Sequence, residues 1–239
     1  MGGYSMLIHT TFDLLAWLTA ALVGFIIGRA HLLGTIKKRT PFTEPHYFIA
    51  LGLGAIFGAI LIGSFNLNLA GRFVLGHSVA GAIVGGIVAV ESYKWSQGIR
   101  ASTGLAFVAP LAAGIAVGRF GCFFAGLPDY TYGVETTLPW GVDFGDGIRR
   151  HPVQLYESAA MLAFLIVFMW KIANRSELFL RYGFYLFVGW YGVQRFAWEF
   201  LKPYPKLVGP FNVFHLLCFA MVAYSIVMIG RTHEPHPAR

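Results

Sequence analysis

The sequence predicts an all-α, polytopic membrane protein, best counted as seven transmembrane helices. Three observations carry this. The 239 residues are 56% hydrophobic and only 12% charged, and the mean hydropathy is +0.63, far from the polar surface a soluble helical bundle requires. Charge-free runs recur along the whole chain. The basic residues between those runs fall mostly on alternate connections, as the positive-inside rule expects of a membrane protein.

The runs, in order, are 14–28, 47–71, 73–90, 101–118, 158–170, 182–194 and 207–230. Four reach or approach the roughly 20 residues that cross a hydrocarbon core. The others reach it with flanking residues such as Leu155, Tyr156, Phe196 and Trp198, so the boundaries also admit six or eight spans. Residues 1–11 hold no Lys or Arg before the first run, so no cleavable signal peptide is expected. Gly52, Gly54 and Gly58 mark the second run, and Gly81, Gly85 and Gly86 the third. Gly114 and Gly118 form a small-xxx-small pair in the fourth. Such faces let helix backbones approach where no hydrophobic force drives association. The expected organisation is one transmembrane domain over 1–230, with a loop at 126–151 outside the cytoplasm and a short cytoplasmic tail at 231–239.

The net charge of +7 is distributed by loop, which argues against a nucleic-acid footprint. With the N-terminus outside, the cytoplasmic side takes Arg29, Lys37, Lys38, Arg39, Lys94, Arg100, Lys171, Arg175, Arg181, Arg231 and Arg239. The outer side takes only Arg72, Arg149, Arg150, Lys202 and Lys206. The histidines of the polar tail make no metal site. Cys122 and Cys218 match no metal or redox spacing; small buried residues describe them best, with a bridge still open. Loop 126–151 is the long connection. It carries Asp129, Glu135, Asp143 and Asp146 among Gly133, Gly141, Gly145 and Gly147, and Pro139-Trp140 suits an interfacial turn. A lid or binding loop and a plain connector are both compatible with it.

Arg119, at the end of the fourth run, and Arg195, inside the sixth, are the informative charges. Guanidiniums at membrane depth serve a buried anion, a pore or a relay, or they snorkel to the headgroups. As a pair, they point to a site for a phosphate-bearing lipid, which a guanidinium binds through its fork of donors. Cys122 and Phe123 share the Arg119 face, and 120–126 reads as a span ending in a glycine-assisted turn. Tyr191, Arg195 and Glu199 rise along one face at four-residue intervals. Arg195 and Glu199 are natural partners, and Tyr191 adds a hydroxyl one turn away. Arg149-Arg150-His151-Pro152 leads through Gln154 and Tyr156 to Glu157, either a helix-start acid or an orienter of an arginine across the bundle. His151 is either a proton exchanger or a loop-bonded histidine, and His77 either a base or a helix-end histidine. No nucleophile elbow, Walker loop or metalloprotease histidine pair is present, so no metal or nucleotide cofactor is implied.

These residues resemble the prolipoprotein diacylglyceryl transferase family. The resemblance rests on Gly118-Arg119-Phe120-Gly121, Leu138-Pro139-Trp140-Gly141, Arg150-His151-Pro152-Val153-Gln154-Leu155-Tyr156-Glu157, and Tyr191-Gly192-Val193-Gln194-Arg195-Phe196 with Glu199-Phe200. It covers most of the chain from about residue 70. It implies a seven-helix enzyme of the bacterial cytoplasmic (inner) membrane. Such an enzyme moves the diacylglyceryl group of phosphatidylglycerol, or a related anionic phospholipid, to the cysteine thiol of a prolipoprotein lipobox. Catalysis would fall to Arg119, Tyr191 and Arg195. Arg119, Arg150, His151, Gln154, Tyr156, Glu157, Arg195 and Glu199 would line the substrate site. The two arginines would hold the lipid phosphate and stabilise charge on the leaving group.

Departures from the family pattern are substantial. Cys122, Ala125 and Leu127 stand where the family carries two asparagines and a glutamate, and Ala80 stands where it carries a third-span histidine. The family's recurring acid before the fourth-span proline is also absent from 102–110. His77, three residues before Ala80, is one helical turn away and is the expected proton acceptor, while Asp129 is a candidate for the polarity lost at Leu127. A divergent transferase with another acceptor and a non-catalytic lipid-binding or assembly protein are the other functions this pattern allows.

Overall fold

A computed structural model of the chain describes residues 2–29 and 44–233. The expected charges Lys37, Lys38 and Arg39, and the tail beyond residue 233, lie outside the described residues. The protein is an all-α polytopic membrane protein, with seven long helices among the described residues. They are α1 Gly2–Arg29, α2 Pro45–Leu69, α3 Val79–Ser96, α4 Val108–Ala125, α5 Val153–Ala173, α6 Glu177–Glu199 and α7 Val213–His233. Five of the helical segments are long and apolar enough to cross a membrane: Leu7–Arg29, Pro45–Leu69, Leu105–Ala125, Val153–Ala173 and Val213–Arg231. The other two helices, α3 and α6, carry charge that the fold turns inward. Lys94 of α3 is buried against Glu91, and Arg195 and Glu199 of α6 are buried against each other. The outer surface stays apolar, with Trp17, Phe57, Ile166, Phe219 and Ile226 all exposed, the arrangement a lipid solvent favours.

Helix α4 packs against α1 and α5, α5 against α6, α6 against α7, α7 against α3, and α3 against α2. The α2–α3 seam is a glycine interface, as the glycine spacing predicts. A Cβ on Gly58 would collide with the Gly81 carbonyl, and one on Gly85 with the Gly54 carbonyl. Gly52 faces open space instead. In the α1–α4 seam, Gly114 meets Ala16 and Ala20 at ordinary contact distance, and Gly118 meets Ala16. Side chains tie other helices together across the bundle: Ser158 Oγ donates to the Ala116 carbonyl (2.7 Å), Trp190 Nε1 to Ala160 (3.0 Å) and Ser225 Oγ to Tyr185 (2.8 Å). In lipid such bonds are worth about 0.6–2 kcal/mol each.

Apolar runs and helices do not coincide at their ends. The third run begins at residue 73, but α3 begins at Val79, where Ser78 Oγ caps it by accepting from Gly81 N (3.1 Å). Residues 73–78 are an apolar strap held by backbone contact with Gly63. The fourth helix starts later and runs further than its run, so Arg119 sits inside α4, and Gly126 ends it at φ +70°. The first helix starts well before residue 14. Cys122 and Cys218 are both free thiols, which closes the disulfide alternative.

The glycine seam sets a paired expectation. Gly85→Ala should wedge α2 from α3 and cost about 1–3 kcal/mol. Gly52→Ala should be neutral or stabilising by about 0.5–1 kcal/mol, because a helical glycine gains from a methyl group that meets nothing. Thermal denaturation of the two variants in detergent checks both signs.

Candidate functional site

The site lies at the bundle end where α4 and α6 finish and α5 and α7 begin. Glu157, in the second turn of α5, is buried, and its two oxygens are shared among three cations. Oε2 lies 2.7 Å from Arg119 Nε of α4, an ion pair. Oε1 accepts from Arg195 Nη1 of α6 at 2.6 Å and lies 2.8 Å from Lys202 Nζ, just past α6. Glu199 holds the other edge of Arg195, its Oε1 lying 2.7 Å from Nε, while its Oε2 accepts from Asn212 Nδ2 at 3.0 Å. Asn212 Oδ1 in turn accepts from His215 N at the start of α7, an N-terminal capping bond. The cluster therefore joins α4, α5, α6 and α7. With three basic and two acidic side chains, all buried, its formal charge is one positive in excess.

Of the two readings of Glu157, the structure selects the one that orients an arginine across the bundle, and it orients two. Tyr191, one turn ahead of Arg195, and Gln154, one turn ahead of Glu157, are buried. The tyrosine hydroxyl and both amide atoms of the glutamine lack hydrogen-bond partners among the described residues. A buried polar group left unpaired costs about 1–3 kcal/mol, so groups of this kind beside a cationic cluster suit a polar ligand.

A cleft of about 820 Å³ leads to the cluster. Its walls include α1, the end of α2, the 73–78 strap and α4, and Arg119 and Arg195 both reach it. His77 lines the same cleft and is exposed. Ala80, in the first turn of α3, is buried and offers no proton acceptor.

The loop residues separate from the cluster. Strands β1 Val142–Asp143 and β2 Arg149–Arg150 form a small antiparallel hairpin, the only sheet among the described residues. Gly145 and Gly147 take φ of +100° and +80° in its turn, and Asp143 Oδ1 accepts from the backbone N–H groups of residues 145–147. Arg150 is a bidentate partner of Asp146 (2.7 and 2.8 Å) and stacks over Tyr132. Its hydrogen bonds hold the Asp146 carboxyl below the usual range. Tyr156 Oη accepts from Trp140 Nε1 at 2.9 Å and lies 3.4 Å from His151 Nδ1. Arg150, His151 and Tyr156 thus brace the loop over the bundle, and their polar contacts are with one another and the loop rather than with the arginine cluster.

The comparisons with known proteins bear on this arrangement. The profile of the prolipoprotein diacylglyceryl transferase family matches residues 7–231. The chain belongs to that family. Among curated relatives named phosphatidylglycerol–prolipoprotein diacylglyceryl transferase, the Methylococcus capsulatus protein is 33% identical over 173 residues, 68% of this chain and 64% of its own length. The Vibrio vulnificus protein (strain YJ016) is 34% identical over 195 residues, 77% of this chain and 69% of its own. The Aromatoleum aromaticum protein is 28% identical over 264 residues, 95% of this chain and 98% of its own. No solved structure matches.

Sequence reasoning missed three participants. Lys202 counts in sequence as one more outer-loop charge, although its position three residues after Glu199 was a signal. Asn212 carries no motif. His9 lies ahead of the first apolar run, yet on α1 its Nε2 is 2.5 Å from Asp129 Oδ1. The donor atoms of His9, Cys122 and Asp129 lie within 4.8 Å of one another.

Glu157→Gln removes the anion that three buried cations share. It should destabilise the fold by about 3–5 kcal/mol, the usual cost of stripping one partner from a buried ion pair, and thermal denaturation in detergent reads it. Arg150→Ala, on the exposed hairpin, should shift the same melting curve far less, since exposed ion pairs contribute about 0–1 kcal/mol.

Proposed function

We propose that the protein transfers the diacylglyceryl group of phosphatidylglycerol to the cysteine thiol of a prolipoprotein lipobox, releasing glycerol phosphate. The observation that carries this reading is the single excess positive charge of the buried Arg119–Glu157–Arg195–Glu199–Lys202 cluster, reached from an 820 Å³ cleft. One phosphodiester monoanion balances that charge. As the bond from the glyceryl carbon to the phosphate oxygen breaks, charge builds on the leaving phosphate. Guanidiniums already fixed by Glu157 and Glu199 stabilise that charge without reorganising. Tyr191 and Gln154 would donate the remaining hydrogen bonds to the headgroup. Arg150, His151 and Tyr156 would hold the loop against the acceptor peptide. Removing the thiol proton falls to an imidazole in the cleft wall, and His77 and His9 both line it.

The protein would sit in the bacterial cytoplasmic membrane with its N-terminus, the cluster and loop 126–151 on the outer side. Arg29, Lys94, Arg100, Lys171, Arg175, Arg181 and Arg231 all fall at the bundle end away from the cluster, which supports that orientation. A non-catalytic lipid-binding role is the second reading, favoured by Ala80 at the family's histidine position.

Purified protein supplied with phosphatidylglycerol and a lipobox peptide should attach diacylglyceryl to the peptide cysteine, as mass spectrometry reports. Arg119→Lys and Arg195→Lys should each lower turnover about 100-fold despite keeping the charge, because lysine lacks the guanidinium fork. Lipid binding without product supports the second reading. For topology, single cysteines replacing Thr137 or Gln97, with Cys122 and Cys218 changed to serine, are probed on cells with a membrane-impermeant thiol reagent. The cysteine at 137 should label and that at 97 should not; the reverse rejects the orientation.

A further inference from the structure

The transfer reaction requires a destination for the proton of the acceptor thiol, and the following assignment rests on that reading. Sulfur attacks carbon as thiolate, so the proton acceptor must stand near the cation that holds the phosphate, since the carbon under attack is bonded to a phosphate oxygen. Ala80 cannot serve, and His77 is exposed with no carboxylate bonded to its ring among the described residues. His9 meets both requirements. Its Nε2 lies 2.5 Å from Asp129 Oδ1, and the other oxygen of Asp129 is bonded by the Thr131 hydroxyl. A single 3₁₀ turn, Leu127–Asp129, followed by Tyr130 at φ +56°, fixes that carboxylate against α1. Cys122 Sγ lies within 4.8 Å of the donor atoms of both residues and 3.9 Å from Arg119 Nη1. Cys122 thus stands beside both the His9–Asp129 pair and the Arg119 guanidinium, and His9, Cys122, Arg119 and Arg195 line one cleft.

We propose that His9 is the catalytic proton acceptor for the incoming thiol and that Asp129 is its positioning residue. Asp129 accepts the Nε2 proton, which leaves the Nδ1 lone pair free and supports the imidazolium once it forms, the division of labour of a histidine oriented by a carboxylate. In the step, the thiol proton moves to Nδ1 and the sulfur electron pair forms the S–C bond to the glyceryl carbon. The C–O bond breaks with its electron pair on the phosphate oxygen. The imidazolium then returns its proton to the departing glycerol phosphate. Cys122 is not a transient carrier, because a thioether formed on it has no good leaving group and would be terminal. The same three side chains have the donor types of a cation site. The direct His9–Asp129 bond and the Arg119 cation against the thiol both oppose a dication there.

The test compares His9→Gln, Asp129→Asn, Asp129→Glu, His77→Gln and Arg119→Lys with the wild-type protein. Two lipobox peptides are used, one with the natural cysteine and one with selenocysteine, whose selenol is already ionised at neutral pH. His9→Gln should lower turnover of the cysteine peptide about 100-fold, within the usual range for loss of a general base. It should return to within about five-fold of wild type on the selenocysteine peptide, a rescue of the size expected when an ionised nucleophile makes the base unnecessary. Asp129→Asn should follow it with a smaller loss, and Asp129→Glu should recover part of that loss. Arg119→Lys should stay low on both peptides, since it acts on the phosphate.

Wild-type turnover by His9→Gln on the cysteine peptide overturns the assignment. So does an equal loss on both peptides, which marks a structural role, or a thiol-specific loss in His77→Gln alone. Turnover abolished by chelation and restored by zinc, with bound metal lost in His9→Gln, overturns it in favour of a cation site. A wild-type protein inactive on both peptides removes the transferase reading itself, and this assignment falls with it.

Discussion

A carboxylate buried in a membrane protein is stable only if its charge is matched, and Glu157 is matched by three cations within 2.8 Å. Taking an ion pair out of water costs several kcal/mol per ion after relaxation, so these contacts are unforgiving of geometry. Moving α4, α5 or α6 along its axis by even one helical turn would leave a guanidinium or a carboxylate unpaired in a low-dielectric interior. The register of three helices is thus tied to one side chain, with Glu199 and Asn212 extending the tie to a fourth, α7. The excess charge that remains after this pairing is the chemical feature on which the functional reading stands.

Helix α4 converts that register into a site. One of its faces packs on α5 through small residues and the Ser158–Ala116 hydrogen bond, and another packs on α1 through Gly114, Gly118 and Gly121. Arg119 leaves the helix between these faces, toward Glu157 on one side and Cys122 on the other. Helix α1, exposed to lipid along most of its length, reaches the site through His9 and its carboxylate partner Asp129. The α2–α3 pair meets the remainder of the bundle chiefly through α7, and this leaves room for the cleft between it and the α1–α4 pair. A phospholipid substrate has two long chains to accommodate, and a cleft walled by separate helix pairs suits such a shape.

Ala80, at the start of α3, offers no proton acceptor, while a histidine–carboxylate pair occurs between α1 and the turn after α4. His9 and Asp129 both line the cleft that Arg119 and Arg195 reach. A reaction that needs a base beside a phosphate constrains the position of the imidazole ring, not the helix that supplies it. Side chains from different elements can therefore meet the same requirement.

Composition and periodicity alone determined that this chain is a helical membrane protein, because hydrocarbon solvent demands long apolar helices, and these are legible residue by residue. The glycine spacing marked helix faces able to pack closely, though Gly52 faces open space, and the spelling around Arg119, Glu157 and Arg195 pointed to the charged residues that matter. Intervals of four along α6 were enough to pair Arg195 with Glu199, since that contact is local. Helix ends were less legible: hydropathy does not separate the extended 73–78 strap from α3, and capping by Ser78, not apolarity, sets the boundary. Only the tertiary structure could decide that Arg119, 38 residues from Glu157 in sequence, shares its carboxylate with Arg195 and Lys202. Only it could bring His9 to Asp129, 120 positions away. Those contacts depend on the packing and axial register of whole helices, which no local pattern encodes.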